Sequence, residues 1–250
     1  ARRFGEAFGA TLPADFDRAC ALVEAALAPA RPPAEDLPPD QRPDPDAPAP
    51  DGLQGWVLWG LGDWIARAGQ AHPARALAAL HAITQRFTAE FAIRPFLIHH
   101  PALTWRTLGT WVEDPSAHVR RLVSEGSRPR LPWGERLTAS VRDPSPALPL
   151  LARLQDDPSG YVRRSVANHL NDIAKDHPDR VAAWVNEHLR GAGAQRRALL
   201  RHASRSLIKQ GHPATLAAWG LGRPLQGQAS LRVEGSPLRL GGAVDFVVTL

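Results

Sequence analysis

Asp114-Pro-Ser-Ala-His-Val-Arg-Arg-Leu-Val123 returns as Asp157-Pro-Ser-Gly-Tyr-Val-Arg-Arg-Ser-Val166, 43 residues further on. An internal period of that length, with two helical patterns per unit, predicts an all-α, HEAT-like helical-repeat solenoid. Both copies place a double arginine at the start of a helix, and a carboxylate follows within about two turns, Glu125 in the first and Asp172 in the second. A weaker third unit is visible at Arg196-Arg197-Ala-Leu-Leu200, and Ala92-Ile-Arg94 occupies the corresponding place before the first.

Outward from the repeat, helical periodicity runs from about Leu53 to about Leu221. Breaks fall at His72-Pro73, His100-Pro101, Asp114-Pro115, Asp157-Pro158 and His177-Pro178. Helices of two to four turns joined by short turns fit an α-solenoid. Residues 14–28 read as a helix capped by Asp15 or Asp17. Residues 29–50 are rich in proline and acid and predict a loop or mobile linker that packs no core. From about Leu231 the texture changes. Leu231-Arg-Val233, Leu238-Arg-Leu240 and Val244 to Leu250 predict the truncated start of a β domain. The expected division is a repeat domain over 1–222 and an incomplete β domain over 223–250. With no methionine at position 1 and a final run that reads as mid-strand, the chain reads as a fragment of a longer protein.

The charge is unevenly placed. The 250 residues carry a formal net charge of +5 and a pI of about 10.5. Residues 1–50 hold five arginines against nine acids, whereas residues 114–210 hold seventeen Lys+Arg against ten acids. A basic central region made almost wholly of arginine suits a phosphate backbone, and a basic solvated surface is the plainer alternative. The lone Cys20 excludes a disulfide framework and a thiolate metal cluster. No run of 18 apolar residues and no leader pattern is present, so an intracellular, cytoplasmic chain with no membrane partner is expected. No metal or cofactor is expected, and the chain is expected to act as a monomer.

On the second repeat helix, Val162, Val166, Leu170 and Ile173 share roughly one 80° arc. Arg164, Asn168, Asp172 and Lys175 fall on the opposite side, and Arg121 and Glu125 sit at the angles of Arg164 and Asn168 in the first copy. Stacking would align these polar groups on one surface. An ordinary solvated face with i,i+4 pairs such as Arg121–Glu125 gives the same spacing. The loop Gly126-Ser-Arg-Pro-Arg-Leu-Pro-Trp-Gly134 displays Arg128, Arg130 and Trp133, which can grip phosphates and pack on a sugar or base. Equally, Trp133 can simply anchor the loop. Glu90 and Arg94 form a further i,i+4 pair in the sequence before Pro95.

Three segments, Thr88 to Leu97, Val119 to Gly134 and Tyr161 to Pro178, closely resemble the AlkC family of alkylpurine DNA glycosylases. The resemblance covers roughly residues 53–222. It implies a HEAT-like-repeat fold and, after it, an immunoglobulin-like domain. It implies a monofunctional glycosylase that releases cationic alkylated bases, N3-methyladenine among them, from double-stranded DNA without flipping the base into a pocket. The motif carboxylates carry over to Glu90, Glu125 and Asp172 as catalytic residues, and the loop aromatic to Trp133. Arg121, Arg128, Arg130 and Arg164 carry over as DNA-contacting or carboxylate-orienting groups, with Asn168 and Lys175 beside them on the stripe. A non-catalytic repeat module that binds DNA or protein is the alternative reading.

Overall fold

The computed structural model describes residues 1–42, 51–223, 228–234 and 241–249. In chain order its helices are α1 (Arg2–Thr11), α2 (Phe16–Ala25), α3 (Val57–Ala68), α4 (Pro73–Thr84), α5 (Arg94–His99), α6 (Pro101–Trp111), α7 (Ala117–Gly126), α8 (Thr138–Arg142), α9 (Leu148–Leu154), α10 (Gly160–Ile173), α11 (Pro178–Leu189), α12 (Ala194–Ala203), α13 (Arg205–Lys209) and α14 (Pro213–Ala218). Helices α4, α7, α10 and α12 touch in succession as one row. Helix α6 packs on α7, α9 bridges α7 and α10, and α11 bridges α10 and α12. This two-layer stack of a helical-repeat fold places the core between the layers, around Leu122, Val123, Leu151, Val162, Val166 and Leu170.

The turns repeat as faithfully as the helices. Helices α4, α6 and α11 each begin with a His at the N-cap and a Pro at the first helical position, and the three His backbones share φ between −133° and −130°. Proline costs nothing there because its missing N–H would have no helical partner, and it forces the preceding residue out of the helical region. The two Asp-Pro-Ser turns also match. Asp114 Oδ1 accepts from the Ser116 amide at 2.8 Å, and Asp157 Oδ1 accepts from the Ser159 amide at 2.9 Å. The first arginine of each pair folds back over its own turn. Arg120 donates to the Asp114 and Pro115 carbonyls, and Arg163 to those of Asp157 and Pro158. Arg120 also makes a two-pronged pair with Asp157, at 2.6 and 2.9 Å, which ties one unit to the next.

One sequence expectation needs correction, and helix α1 is an addition on which the sequence reading made no statement. Its apolar side chains are few, but it crosses α3 so closely that a Cβ on Gly60 would meet Phe4 Cβ at 2.7 Å. The proline-rich stretch is no free linker over residues 29–42. Leu27 and Leu53 pair as a parallel bridge at its base, Pro33 is buried, and Asp36 accepts a hydrogen bond from Ser159 Oγ at 2.5 Å. Gly52 completes that base with φ +106°, where a Cβ would strike the Ala28 backbone at 2.6 Å. Residues 43–50 lie outside the described residues. Near the other end, Ser230–Glu234 and Asp245–Thr249 pair antiparallel, with Arg232 opposite Val247. This two-stranded ribbon agrees with the strands expected there, and an immunoglobulin-like domain is not shown by the described residues. The expected strand at Leu238-Arg-Leu240, and Leu250, lie outside the described residues.

Candidate active site

A chain of alternating charges runs from the turn before α5, across α7 and its following loop, to the end of α10. Glu90 Oε2 pairs with Arg121 Nη2 at 2.8 Å and accepts from Thr88 Oγ1 at 2.8 Å. Arg121 Nη1 donates to Thr88 Oγ1, and Nη2 lies 3.8 Å from Glu125 Oε1. Arg128 Nη1 donates to that same Glu125 oxygen, while Ser165 Oγ donates to Oε2 at 2.6 Å. Arg128 turns its other edge to Asp172 Oδ2, at 2.8 Å from Nε and 2.7 Å from Nη2. Lys175 Nζ closes the series on Asp172 Oδ1 at 2.8 Å.

The three sequence-predicted carboxylates therefore belong to one network, although 82 positions separate the outermost two. Their settings differ. Glu90 and Glu125 line a cleft of about 380 Å³ together with Trp56, Trp59, Phe87 and Arg128. Asp172 is only 2% exposed and sits behind Arg128, which shields it from that cleft. This corrects the picture of a polar stripe facing solvent. Asp172 and Glu125 point into the seam between units, where an unpaired charge would be costly. The sequence pair Glu90–Arg94 is also corrected. Arg94 is fully buried and donates to the carbonyls of Gly126, Arg128 and Glu135. It thereby ties down both ends of the loop that carries Arg128, Arg130 and Trp133.

The electrostatics follow from this packing. Burial opposes the charge on Glu125, but Arg121 and Arg128, with the Ser165 hydroxyl, hold its carboxyl below the ordinary range. Burial likewise works against the Arg128 charge, and Glu125 and Asp172 outweigh it, so the guanidinium is held more firmly protonated than usual. Burial pulls Arg94 down to about 10, which still leaves it charged at neutral pH. The site thus presents fixed negative charges whose counter-charges are built in.

The remaining predicted residues divide into engaged and open groups. Arg130 is held by Asp176 through two contacts of 2.6 Å. Asn168 Oδ1 meets His202 Nε2 at 2.9 Å. Arg164 remains largely exposed and pairs with Glu35 of the proline-rich segment at 2.8 Å. Trp133 is 98% exposed and holds a left-handed backbone, φ 58°. For a bulky side chain that conformation is uncommon. The network also uses groups that sequence reasoning passed over. Thr88, Ser165 and Tyr161, whose ring lies 4.8 Å from the Arg121 guanidinium, all stand inside the quoted motifs. Trp56 and Trp59 lie outside them, and their i,i+3 spacing was the available signal. No helix among the described residues is long and apolar enough to cross a membrane.

No family model matches the chain. The uncharacterized protein YhaZ of Bacillus subtilis (strain 168) is 45% identical over 158 residues, which is 63% of this chain and 44% of that protein. The solved structure of Pseudomonas fluorescens alkylpurine DNA glycosylase AlkC bound to DNA containing an abasic site analog superposes with a TM-score of 0.64 at 41% identity. That match covers 74% of this chain and 51% of the other. This chain thus spans about half the length of the relatives it matches, and the similarity to AlkC-type alkylpurine DNA glycosylase read from three sequence segments holds across the helical repeats in sequence and structure alike.

Proposed function

We propose that this chain is the helical-repeat part of a DNA glycosylase that hydrolyses the N-glycosidic bond of cationic alkylated bases, N3-methyladenine first among them, and so initiates base-excision repair. We read its helix pairs as HEAT-like repeats and double-stranded DNA as the partner. The observation that carries this reading is the pair of arginine-held carboxylates, half-buried Glu90 and buried Glu125, opening on one cleft.

An alkylated purine of this kind already bears positive charge. When the bond to C1′ breaks, its electron pair neutralises the base, which leaves without a general acid. Positive charge then develops on the sugar. Preorganised carboxylates stabilise it without any reorganisation at the moment of reaction. Water adds at C1′ and gives up a proton, leaving an abasic site. In this scheme Glu90 and Glu125 face the sugar. Asp172 acts on the same charge across Arg128, and it reaches the cleft only if a phosphate draws that guanidinium away. Arg164 and the exposed Trp133 are left to meet the duplex, which fits the DNA bound in the AlkC structure.

The test is incubation with methylated duplex DNA and chromatography of the released bases. Release of N3-methyladenine with abasic sites in equal amount supports the reading. Duplex binding without release would instead mark a non-catalytic DNA-binding module.

A further inference from the structure

The acidic, proline-rich residues 29–42 touch both copies of the repeat where their helices begin. His118 Nε2, in the first turn of α7, donates to the Arg31 carbonyl at 3.2 Å. At the start of α10, Glu35 pairs with Arg164 at 2.8 Å and Asp36 accepts from Ser159 Oγ at 2.5 Å. The same two helix starts bring His118 and Tyr161 edge to face, with ring centroids 5.6 Å apart. Tyr161 in turn packs on the guanidinium of Arg121, the arginine that bridges Glu90 and Glu125. The face this segment crosses is therefore continuous with the candidate site.

The segment is stiff, firmly based and loosely held at its tip. Pro33 and Pro38, with φ of −55° and −51° and ψ of 133° and 147°, lie close to the polyproline conformation. Proline fixes its own φ, so such a segment loses little freedom on lying across a surface and regains little on leaving it. The base is fixed by the Leu27–Leu53 bridge and by Arg86, which donates to the Ala28 carbonyl at 2.7 Å. Along residues 29–42 Pro33 alone is buried, and Glu35 and Asp36 are exposed. Exposed ion pairs of the Glu35–Arg164 kind hold weakly.

What the tip touches selects its competitor. Carboxylate and phosphate oxygens use the same edge of a guanidinium, so Glu35 and a phosphate cannot share that edge of Arg164. Two carboxylates placed there also repel an approaching polyanion. We infer that residues 31–37 are an autoinhibitory strap, which stands in for a phosphate backbone on the start of α10 and leaves when a duplex takes its place. The apparent affinity for duplex is then lowered by the fraction of molecules in which the strap is closed. The inference rests on double-stranded DNA being the partner, as in the reading above, and adds a gate to it.

Two measurements test it. The first is affinity for undamaged duplex by fluorescence anisotropy at about 0.1 M salt. It compares the parent with Glu35→Gln/Asp36→Asn and with Asp179→Asn/Glu187→Gln, which removes the same charge from exposed positions on α11. All three are checked by thermal melt. The strap pair should bind about threefold more tightly, the scale of one released exposed ion pair. The α11 pair should stay within about 1.5-fold, because salt screens exposed charges at a distance. The second measurement is cleavage of the parent after Glu35 by a glutamyl endopeptidase, followed by mass spectrometry with and without saturating duplex. Proteolysis tracks the open population, so duplex should speed that cut at least about threefold. Equal or weaker binding by the strap pair overturns the inference, as does a gain matched by the α11 pair or a cut that duplex slows or leaves unchanged. A parent that binds duplex and releases no base from methylated DNA sinks the glycosylase reading alone, and both measurements still decide the strap. If neither the parent nor the strap pair binds duplex, the strap excludes nothing and the inference fails as well.

Discussion

The two copies of the Asp-Pro-Ser repeat begin alike and end differently. Both helices start with the same turn, stapled by the same arginine, Arg120 or Arg163. Then α7 stops at Gly126 while α10 continues to Ile173, one turn further. The stop is steric. A Cβ at residue 126 would meet Ile93 Cγ2 at 2.6 Å, whereas the equivalent position in α10 is the buried His169. The shortened helix releases the loop carrying Arg128, and the lengthened one supplies the turn carrying Asp172. The two ends meet through that arginine. A repeat is thus a scaffold that fixes where side chains start, and the site arises where neighbouring units break the symmetry.

The largest test of this contrast exchanges charge at the positions where the copies differ. Glu125 corresponds to Asn168, so Glu125→Gln makes the first copy resemble the second. Base release should fall about 10²–10³-fold, the usual cost of removing one preorganised electrostatic stabiliser. Asn168→Ala, one unit along, should leave the rate within about twofold and reduce only local stability. Asp172→Asn should also fall steeply. The double variant with Glu125→Gln should lose less than the product of the two, because Arg128 couples them. Asp172→Asn should also lower stability by about 1–3 kcal/mol, since it removes a charged acceptor from a buried guanidinium. Single-turnover release beside thermal melts separates the two effects. A Glu125→Gln protein that excises at the parent rate would remove this carboxylate from the mechanism.

The second arginines of the two motifs make the next comparison. Arg121 is 17% exposed and bridges Glu90 and Glu125, while Arg164 is 59% exposed. Removing one partner of a buried ionic group leaves the others uncompensated. Arg121→Gln should therefore cost about 4 kcal/mol by chemical denaturation. An equal loss for Arg121→Gln and Arg164→Gln would erase the distinction between a seam position and a surface one.

His169 against Gly126 gives a pH test. Burial drives the His169 pKa down to about 4 despite its bond to the Ser124 carbonyl at 2.9 Å. The folded protein keeps this ring neutral where the unfolded chain protonates it. Between about pH 6.5 and 4 the unfolded state binds more protons, so stability is lost as pH falls through that window, by about 3 kcal/mol in total. Glu125 acts below it. Its depressed pKa contributes stability that is complete above the ordinary glutamate value and is lost as pH falls through the lower folded value. His169→Asn, which keeps a donor for Ser124, should flatten the upper window and leave the lower one. A parent whose denaturation midpoint is constant from pH 6.5 to 4 would contradict the buried neutral ring.

The sequence made the repeat legible because its information is local. The turn residues and the apolar stripe of α10 each sit within one element, and the period follows from comparing two such stretches. Asp172 and Glu125 were legible as candidates through their motifs, but their burial was not. Helix angle alone puts both opposite the core stripe, and only the neighbouring unit turns that side into a seam. Arg94 was misassigned for the same reason. Its i,i+4 spacing from Glu90 is real, yet residue 90 lies in a turn and not on a helix, and the arginine's partners are carbonyls 32 to 41 positions away. Trp56 and Trp59 carried no motif, so their convergence with Glu90 needed coordinates. Residues 29–42 read as linker because composition reports what cannot form a core. It does not report what can lie across an arginine face.

That last segment sets the smallest expected effect. Glu35 and Asp36 sit beside the exposed second arginine and the turn of the second copy, so Arg164 is the motif arginine with a solvent-facing guanidinium and a replaceable partner. If the second copy faces the duplex, Arg164 exchanges Glu35 for a phosphate, and each such contact releases counterions. Arg164→Gln should then leave stability within about 0.5 kcal/mol. It should reduce the slope of log K against log salt by about 1, while binding weakens alike for damaged and undamaged DNA. Glu35→Gln should move binding the other way, because the phosphate no longer competes with a carboxylate for the same guanidinium. Fluorescence anisotropy of a labelled duplex at several salt concentrations measures both. An unchanged slope for Arg164→Gln would place the duplex elsewhere and leave the Arg164–Glu35 pair as an exposed ion pair of little consequence.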